Sequence, residues 1–314
     1  MKQPILSIIV PTRDNIESLE DGFLKSIIIN TNNVNNIELV FVVDEDDKKT
    51  IDFLSNNQIL KELTFCQILK RERSNNITED YYNYGAKKSY GFFVMPGADD
   101  IQIDTPNYDL ILIKTREGII KTEGRYTKHF LLIRTFGEGN SNKGGDGYCC
   151  FPILTRDSVN LLGYFLAPPR VPGWGADWFI DKIYTVLNKV AATHPNIKIT
   201  QQSQHNLNKA PTERDKEGFR RMRRITMSEP NVQENPAMLL EILKAIHYIV
   251  FENLESYTPQ LMWMAYESQK EANERCVTSD AWKAPEGVCP DIFLKILWSI
   301  QQTLHDNHRN IGND

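Results

Sequence analysis

The chain predicts an α/β protein in which a mixed, mostly parallel sheet is flanked by helices and followed by a C-terminal helical extension. Two observations carry this. Over the first hundred residues, short β-rich apolar runs alternate with segments of helical spacing, the order that gives parallel strands joined by right-handed crossovers. From about residue 210 the apolar positions recur at helical spacing alone. The expected division is residues 1–210 for the sheet-bearing part and 211–314 for the helical extension.

Each element has its own signal. "ILSIIVP" (5–11) is a buried strand stopped by Pro11. In "NIESLEDGFLKSIIINT", Leu19, Phe23, Leu24, Ile27 and Ile28 share one helical face. "IELVFVVDEDD" (37–47) is a second buried strand, ending in acids. "KKTIDFLSNNQILKEL" reads as a helix and "LTFCQILK" as a third strand. "TEDYYNYGAKKSYG" is a helix with Thr78 as N-cap and Glu79 and Asp80 in its first turn. "FFVM" (92–95) is the fourth strand. "YDLILIKTREGIIKTEGRYTKHFLLIRTF" reads as successive strands with short polar turns. "GEGNSNKGGDGY" is a Gly-rich loop, either a lid or a plain connection. "FPILTRDSVNLLGYF" resumes order, a Pro/Gly-rich loop then feeds the helix "DWFIDKIYTVL", and "NIKIT" is one more strand. Asn235-Pro236 and Pro290 open helices of the extension.

Composition narrows the function classes. With 41% hydrophobic and 25% charged residues the 314-residue chain is an ordinary globular one. A net charge of −5 gives no global basic field to draw DNA or a membrane. Five cysteines, at 66, 149, 150, 276 and 289, form no CxxC pair and no zinc spacing, which points to reduced thiols; Cys149 and Cys150 read as structural. No apolar run approaches the ~20 residues of a membrane span, and "MKQPILSIIVP" turns polar too early for a signal peptide. The expectation is a cytoplasmic protein without a membrane span.

The acids at strand ends carry the functional signal. In an open α/β sheet, ligands bind outside the carboxyl ends of the strands. Pro11-Thr12-Arg13-Asp14, Asp44-Glu45-Asp46-Asp47 and Asp99-Asp100 all fall there. Parallel strands would bring them to one rim, where carboxylates repel unless a cation sits between them. Mg²⁺ or Mn²⁺ takes oxygen ligands and leaves positions for phosphate. Acids after strands also serve as ordinary turn residues, so "DEDD" or "ADD" alone decides nothing; their joint placement favours a divalent-metal, nucleotide-phosphate site.

At these residues the chain resembles the glycosyltransferases of the GT-A fold, most of all those of family 2. The matching stretches are "SIIVPTRDN", "ELVFVVDEDD", "YNYGAKKSYGFF" with Asn83, Gly85, Ser89 and Gly91, "MPGADD", and "TRDSVNLLGYF…GWGADWF", across roughly residues 5–210. One departure stands out: the first acid of the family's acidic motif aligns with Gly97. The resemblance implies a GT-A-like fold and transfer of a sugar from a nucleoside-diphosphate sugar, UDP-sugar favoured, to an acceptor hydroxyl, assisted by Mn²⁺ or Mg²⁺. It further implies nucleotide-sugar contacts from Pro11, Thr12, Arg13, Asp44, Asn83, Asp99 and Asp100, with Asp99 on the metal. Asp177 matches the catalytic carboxylate and would act as base in an inverting displacement, and it also reads as the cap of its helix. His205 matches a late histidine on the metal or diphosphate, with His194 as rival.

Other features are read from the residues. Trp174 and Trp178 flank Asp177 and suit packing on sugar rings of the acceptor. Arg220 and Arg224, in "RDKEGFRRMRR", share a helical face with Arg221, Arg223 and Lys216 nearby. They are expected to clamp the donor diphosphate or an anionic acceptor, against the alternative of a solvated basic face. The acceptor stays open between a glycan and a modified nucleic acid, such as a modified base of phage DNA. A nucleotidyltransferase would want glycine after the first strand, and "PTRDN" has none. A non-catalytic nucleotide-binding module of the same fold takes its argument from Gly97.

Overall fold

The structure is a computed structural model that describes residues 3–124, 129–137, 149–168, 176–186, 190–192 and 197–201. The helical extension expected over 211–314 lies outside the described residues, as does the Gly-rich loop of 138–148.

The sheet is mixed α/β, as the sequence predicts. Among the described residues it has seven strands, in the order β3 (Cys66–Arg71), β2 (Ile37–Asp44), β1 (Leu6–Thr12), β4 (Phe93–Pro96), β7 (Ile153–Thr155), β6 (Leu132–Arg134) and β8 (Val190–Ala192). Two further strands are β5 (Ile101–Ile103) and β9 (Ile199–Gln201). Central β1 pairs in parallel with β2, from Leu6↔Ile37 to Thr12↔Val43, and with β4, from Leu6↔Phe93 to Ile9↔Pro96. β3 extends the parallel set beside β2. β7 runs antiparallel to both β4 and β6, and β8 is parallel to β6. β5 and β9 form a separate antiparallel ribbon.

Burial on both faces explains the near-continuous apolar strands. All eight residues of β2 are buried. Alternate side chains feed two cores. Ile8, Val10, Leu39, Phe41, Val43, Phe93 and Met95 enter one layer with Phe23, Ile27, Leu54, Tyr108 and Leu112. Ile9, Val40, Val42 and Val94 enter the other with Tyr81, Ala86, Val159, Phe179 and Tyr184.

The helices depart from expectation in four places. The first helical stretch is α1 (Ile16–Ser18), a π-wound segment Leu19–Leu24, and α2 (Lys25–Asn30). The wider winding turns the later residues, so Ile28 is not on the buried face but 37% exposed. Residues 48–62 form two helices, α3 (Lys48–Asn56) and α4 (Gln58–Glu62), because the Asn57 side chain accepts the Leu60 N–H (3.2 Å) and restarts the chain. The third departure is a correction: residues 108–123 are not strands but one helix. α5 (Tyr84–Lys88) precedes it, and α6 (Tyr108–Glu123) takes the place of the first of the expected successive strands, with β6 the one strand among the described residues of that stretch. Tyr108 and Leu112, one turn apart, are buried. The Asp109 carboxylate accepts from Asn32 N (2.9 Å), Asn33 N (3.1 Å) and Asn36 Nδ2 (2.8 Å), which ties the first turn to the chain before β2. The expected cap at Thr78 is also corrected. Thr78 is buried inside a second π-wound segment, Thr78–Asn83, and the Asn76 carboxamide accepts the Glu79 N–H (3.1 Å) instead. The chain closes with α7 (Arg156–Leu162) and α8 (Ala176–Val186).

Several of the residues that carried the family resemblance turn out to hold this architecture. A Cβ on Gly85 would lie 2.5 Å from Ile9 Cγ2, and one on Gly91 2.5 Å from Ser7 N. Arg156 donates to Ala86 O (2.7 Å), Ser89 Oγ (2.7 Å) and Gly91 O (3.1 Å), so it stitches α5 to the start of β4. Burial pulls its guanidinium down to about 10, with Glu38 pushing the other way. Because two of the three nearest atoms facing Gly91, Ser7 N and Leu6 C, are backbone, Gly91→Ala is expected to destabilise the protein by ~1–3 kcal/mol, read as a lowered Tm in thermal denaturation.

Candidate functional site

Parallel pairing places the C-terminal ends of β1, β2, β3 and β4 on one rim. There a cleft of about 150 Å³ is lined by Pro11, Thr12, Arg13, Asp44, Ile77, Tyr81 and Asp99. Five of these seven are residues the sequence put forward. Ile77 and Tyr81 were not among them, and their only signal was position, just after the third strand and next to Asn83.

Two charged groups dominate one side. Asp44, the last residue of β2, is buried. Its Oδ2 accepts from Arg13 Nη1 at 2.9 Å, its Oδ1 from the Tyr81 hydroxyl, and Arg73 Nε lies 3.9 Å away. Arg13 also grips Asp46 with both terminal nitrogens. That contact first, and the one with Asp44 after it, hold the guanidinium above its ordinary range despite partial desolvation. The loop carrying Arg13 is fixed from below. Asp14 is in the left-handed region (φ 52°), and its N–H donates to Asp47 Oδ2 (3.0 Å) and Thr50 Oγ1 (3.2 Å). Asp47 in turn caps α3 through the Thr50 N–H (3.1 Å).

Asp99 closes the other side. Its oxygens accept from Thr12 Oγ1 (2.8 Å) and Asn15 Nδ2 (2.9 Å). Burial pushes its carboxyl up to about 6; the Asn15 and Thr12 hydrogen bonds hold it back, and Asp100 pushes it further. Asp100 is buried and faces the β5–β9 ribbon, where its Oδ2 accepts from Gln201 Nε2 (3.0 Å). Among the described residues no three His, Cys, Asp or Glu side chains gather as a metal-ligand group. The adjacent pair fits the sparser mode in which Mg²⁺ or Mn²⁺ takes one or two carboxylates and completes its shell with substrate phosphate and water. Gly97 adds nothing to that set: a Cβ there would meet Ile8 Cγ2 at 2.8 Å and Val10 Cγ2 at 3.0 Å.

The expected base, Asp177, is half-buried in the first turn of α8. Arg134 of β6 holds that helix by paired hydrogen bonds to the fully buried Asp181, at 2.8 and 2.7 Å, one turn further on. Asp177, Asp99 and Asp100 all lie within electrostatic reach of one group, the Tyr82 hydroxyl. The Tyr82 hydroxyl is raised far above its ordinary value by burial first, then by Asp100, Asp99 and Asp177.

Asn83 is in a different setting from the cleft. It is fully buried, its Oδ1 accepts from Phe165 N (2.8 Å) and Leu166 N (3.3 Å), and its Nδ2 donates to Ala167 O (2.8 Å). Its amide is engaged by the chain leading toward α8, which is the physical reason it does not line the cleft. Trp178 follows Asp177 in α8. Trp174, His194, His205, Arg220 and Arg224 lie outside the described residues, and no described helix is long and apolar enough to cross a membrane.

No protein-family profile matches the chain, and no curated protein does. Solved structures similar to it include S. aureus TarS in complex with UDP, at 13% identity and TM-score 0.47, covering 98% of this chain and 91% of that one. Another is the mannosyltransferase PcManGT from Pyrobaculum calidifontis in complex with GDP-Man and Mn²⁺, at 10% identity and TM-score 0.43, covering 100% and 89%. A third is GalNAc-T7 with UDP, GalNAc and Mn²⁺, at 11% identity and TM-score 0.46, covering 71% and 48%. Likenesses this distant leave the function to be argued from the site itself.

The half-buried Asp99 sets a pH dependence. Its carboxyl is raised in the folded chain, so it favours the fold fully below the unfolded value near 4, and that contribution is lost as pH rises through about 6. At about 1.4 kcal/mol per unit, chelator-treated protein should lose ~2–3 kcal/mol across this window. Asp99→Asn should flatten that slope in urea unfolding series between pH 4 and 7.

Proposed function

We propose that the chain is a glycosyltransferase that moves a sugar from a nucleoside-diphosphate sugar to an acceptor hydroxyl. The observation that carries the reading is the cleft itself, with Arg13 and Asp44 on one side and Asp99 on the other, at the carboxyl ends of parallel strands.

Asp44 offers a carboxylate oxygen beside the donors of Arg13. That pairing complements a ring N–H flanked by a carbonyl, as in uracil or guanine. It disfavours the bare ring nitrogen that cytosine or adenine would present to the carboxylate. UDP-sugars are the favoured donors, with GDP-sugars the other class this edge admits. Asp99, with Asp100 beside it, would hold a divalent cation against the diphosphate. When bound, Mn²⁺ or Mg²⁺ supplies charge neutralisation for the leaving group. In the transfer, the acceptor oxygen bonds to the anomeric carbon, the bond to phosphate oxygen breaks, and its electron pair leaves with the diphosphate. The acceptor proton passes to Asp177, in an inverting displacement. A binding module without transfer is the second reading, favoured by the glycine at position 97.

Calorimetric titration with UDP, GDP, CDP and ADP in the presence of Mn²⁺ tests the donor site. UDP or GDP should bind, and Asp44→Asn should weaken that nucleotide by about 10-fold or more, the worth of a hydrogen bond to a charged group. Absence of binding by all four nucleotides would overturn the reading. Asp177→Asn should leave nucleotide affinity intact and lower donor-sugar turnover by ~10²–10⁴; unchanged turnover would remove Asp177 as the base.

A further inference from the structure

We propose that Tyr82 is a positioning residue for the Asp99–Asp100 pair, its hydroxyl fixing the carbonyl of Gly97 at the head of the turn that presents both acids. The inference rests on the donor-site reading above, and concerns a residue that no sequence pattern singles out.

Gly97 follows directly on β4 and starts the passage to β5. Its N–H donates to Ile9 O at 2.7 Å, and the space where a side chain would stand is filled by Ile8 and Val10. A side-chain support from position 97 is therefore excluded by packing. The carbonyl takes the load instead: Tyr82 Oη donates to Gly97 O at 2.9 Å. The Tyr82 ring is partly exposed while its hydroxyl end is buried, and burial with three nearby carboxylates keeps the phenol protonated. It thus remains a donor over the whole working range of pH. Thr12 and Asn15 hold Asp99 from the opposite side, so the turn is clamped between β1 and the π-wound segment.

That segment spreads three consecutive side chains to three places. Tyr81 reaches Asp44, Tyr82 reaches Gly97, and Asn83 reaches the chain at 165–167. Arg71 secures the segment to β3, pairing with Asp80 at 2.9 Å and lying over the Tyr81 and Tyr84 rings. Of the three, only the Tyr82 contact acts on the acids without touching the nucleotide side of the cleft.

The test is Tyr82→Phe in the full chain, with Tyr84→Phe as a control on the same helical stretch. UDP affinity is measured with and without Mn²⁺, alongside amide exchange of the 97–100 turn. The expected result is unchanged metal-free affinity and a Mn²⁺-dependent gain reduced by about fivefold, the worth of one neutral hydrogen bond. Faster exchange confined to the turn should accompany it, with neither effect in Tyr84→Phe. Equal loss of metal-free and metal-dependent affinity would mean a general structural role and overturn the proposal. An unchanged metal gain with unchanged exchange would overturn it too. If the wild-type chain binds no nucleotide, the donor-site reading fails, and exchange at 97–100 still decides whether Tyr82 sets the turn.

Discussion

Carboxylates crowded onto one rim must each be neutralised or hydrogen-bonded, and this constraint shapes the upper edge of the sheet. Asp46 and Asp44 share Arg13, and Tyr81 completes Asp44. Asp47 is spent on capping α3 and holding the Asp14 backbone. Asp99 differs. The donors on it are neutral, from Thr12, Asn15 and the Arg13 backbone, and it is half-buried beside a second acid. A carboxylate in that setting is ready to gain from an incoming cation in a way that Asp44, already paired with Arg13, is not. The two sides of the cleft are thereby differentiated: one carries its own positive charge, and on the proposed reading the other would receive it with the ligand.

The strands and their terminal acids were legible because burial on both faces leaves an unbroken apolar run, and Pro11, Asp44 and Asp99 mark where the run stops. The same logic misled at 108–123. "DLILI" and "GIIKT" look locally like strands, and only the long-range capture of Asp109 by Asn32, Asn33 and Asn36 selects the helix. Tyr81 and Tyr82 were illegible for a related reason. Their hydroxyl partners, Asp44 and Gly97, are 37 and 15 residues away, and a π-wound segment has no simple apolar period to announce which way each ring turns. Asn83 was picked out by its place in a motif, but its amide serves the 165–167 backbone.

That outcome separates two kinds of motif residue. Gly85, Gly91, Ser89 and Arg156 match the family pattern because the crossing of α5, β1 and β4 admits no side chain at the glycines and needs the guanidinium to close α5. These are demands of packing, and they hold whatever ligand the rim takes. Thr12, Arg13, Asp44 and Asp99 face the cleft and answer to the ligand instead. A resemblance resting on both sets argues for the architecture through the first and for the chemistry through the second.

Gly97 sits where the two kinds meet. As an acid it would have belonged to the chemistry; as glycine it belongs to the packing, wedged against Ile8 and Val10 with its N–H on Ile9. Glycine there adds no further carboxylate to the repulsion the rim must bear, which suits a site where Asp99 is already half-buried without a cationic donor. It also removes a ligand, so a cation would lean more heavily on the donor's own phosphates. On the proposed reading, binding of metal and nucleotide would then be mutually dependent by linkage, each raising the affinity of the other by the same factor. In such a site the geometry of the remaining pair carries more weight than in one with a full set of acids, and the hydrogen bond that anchors its turn gains importance accordingly.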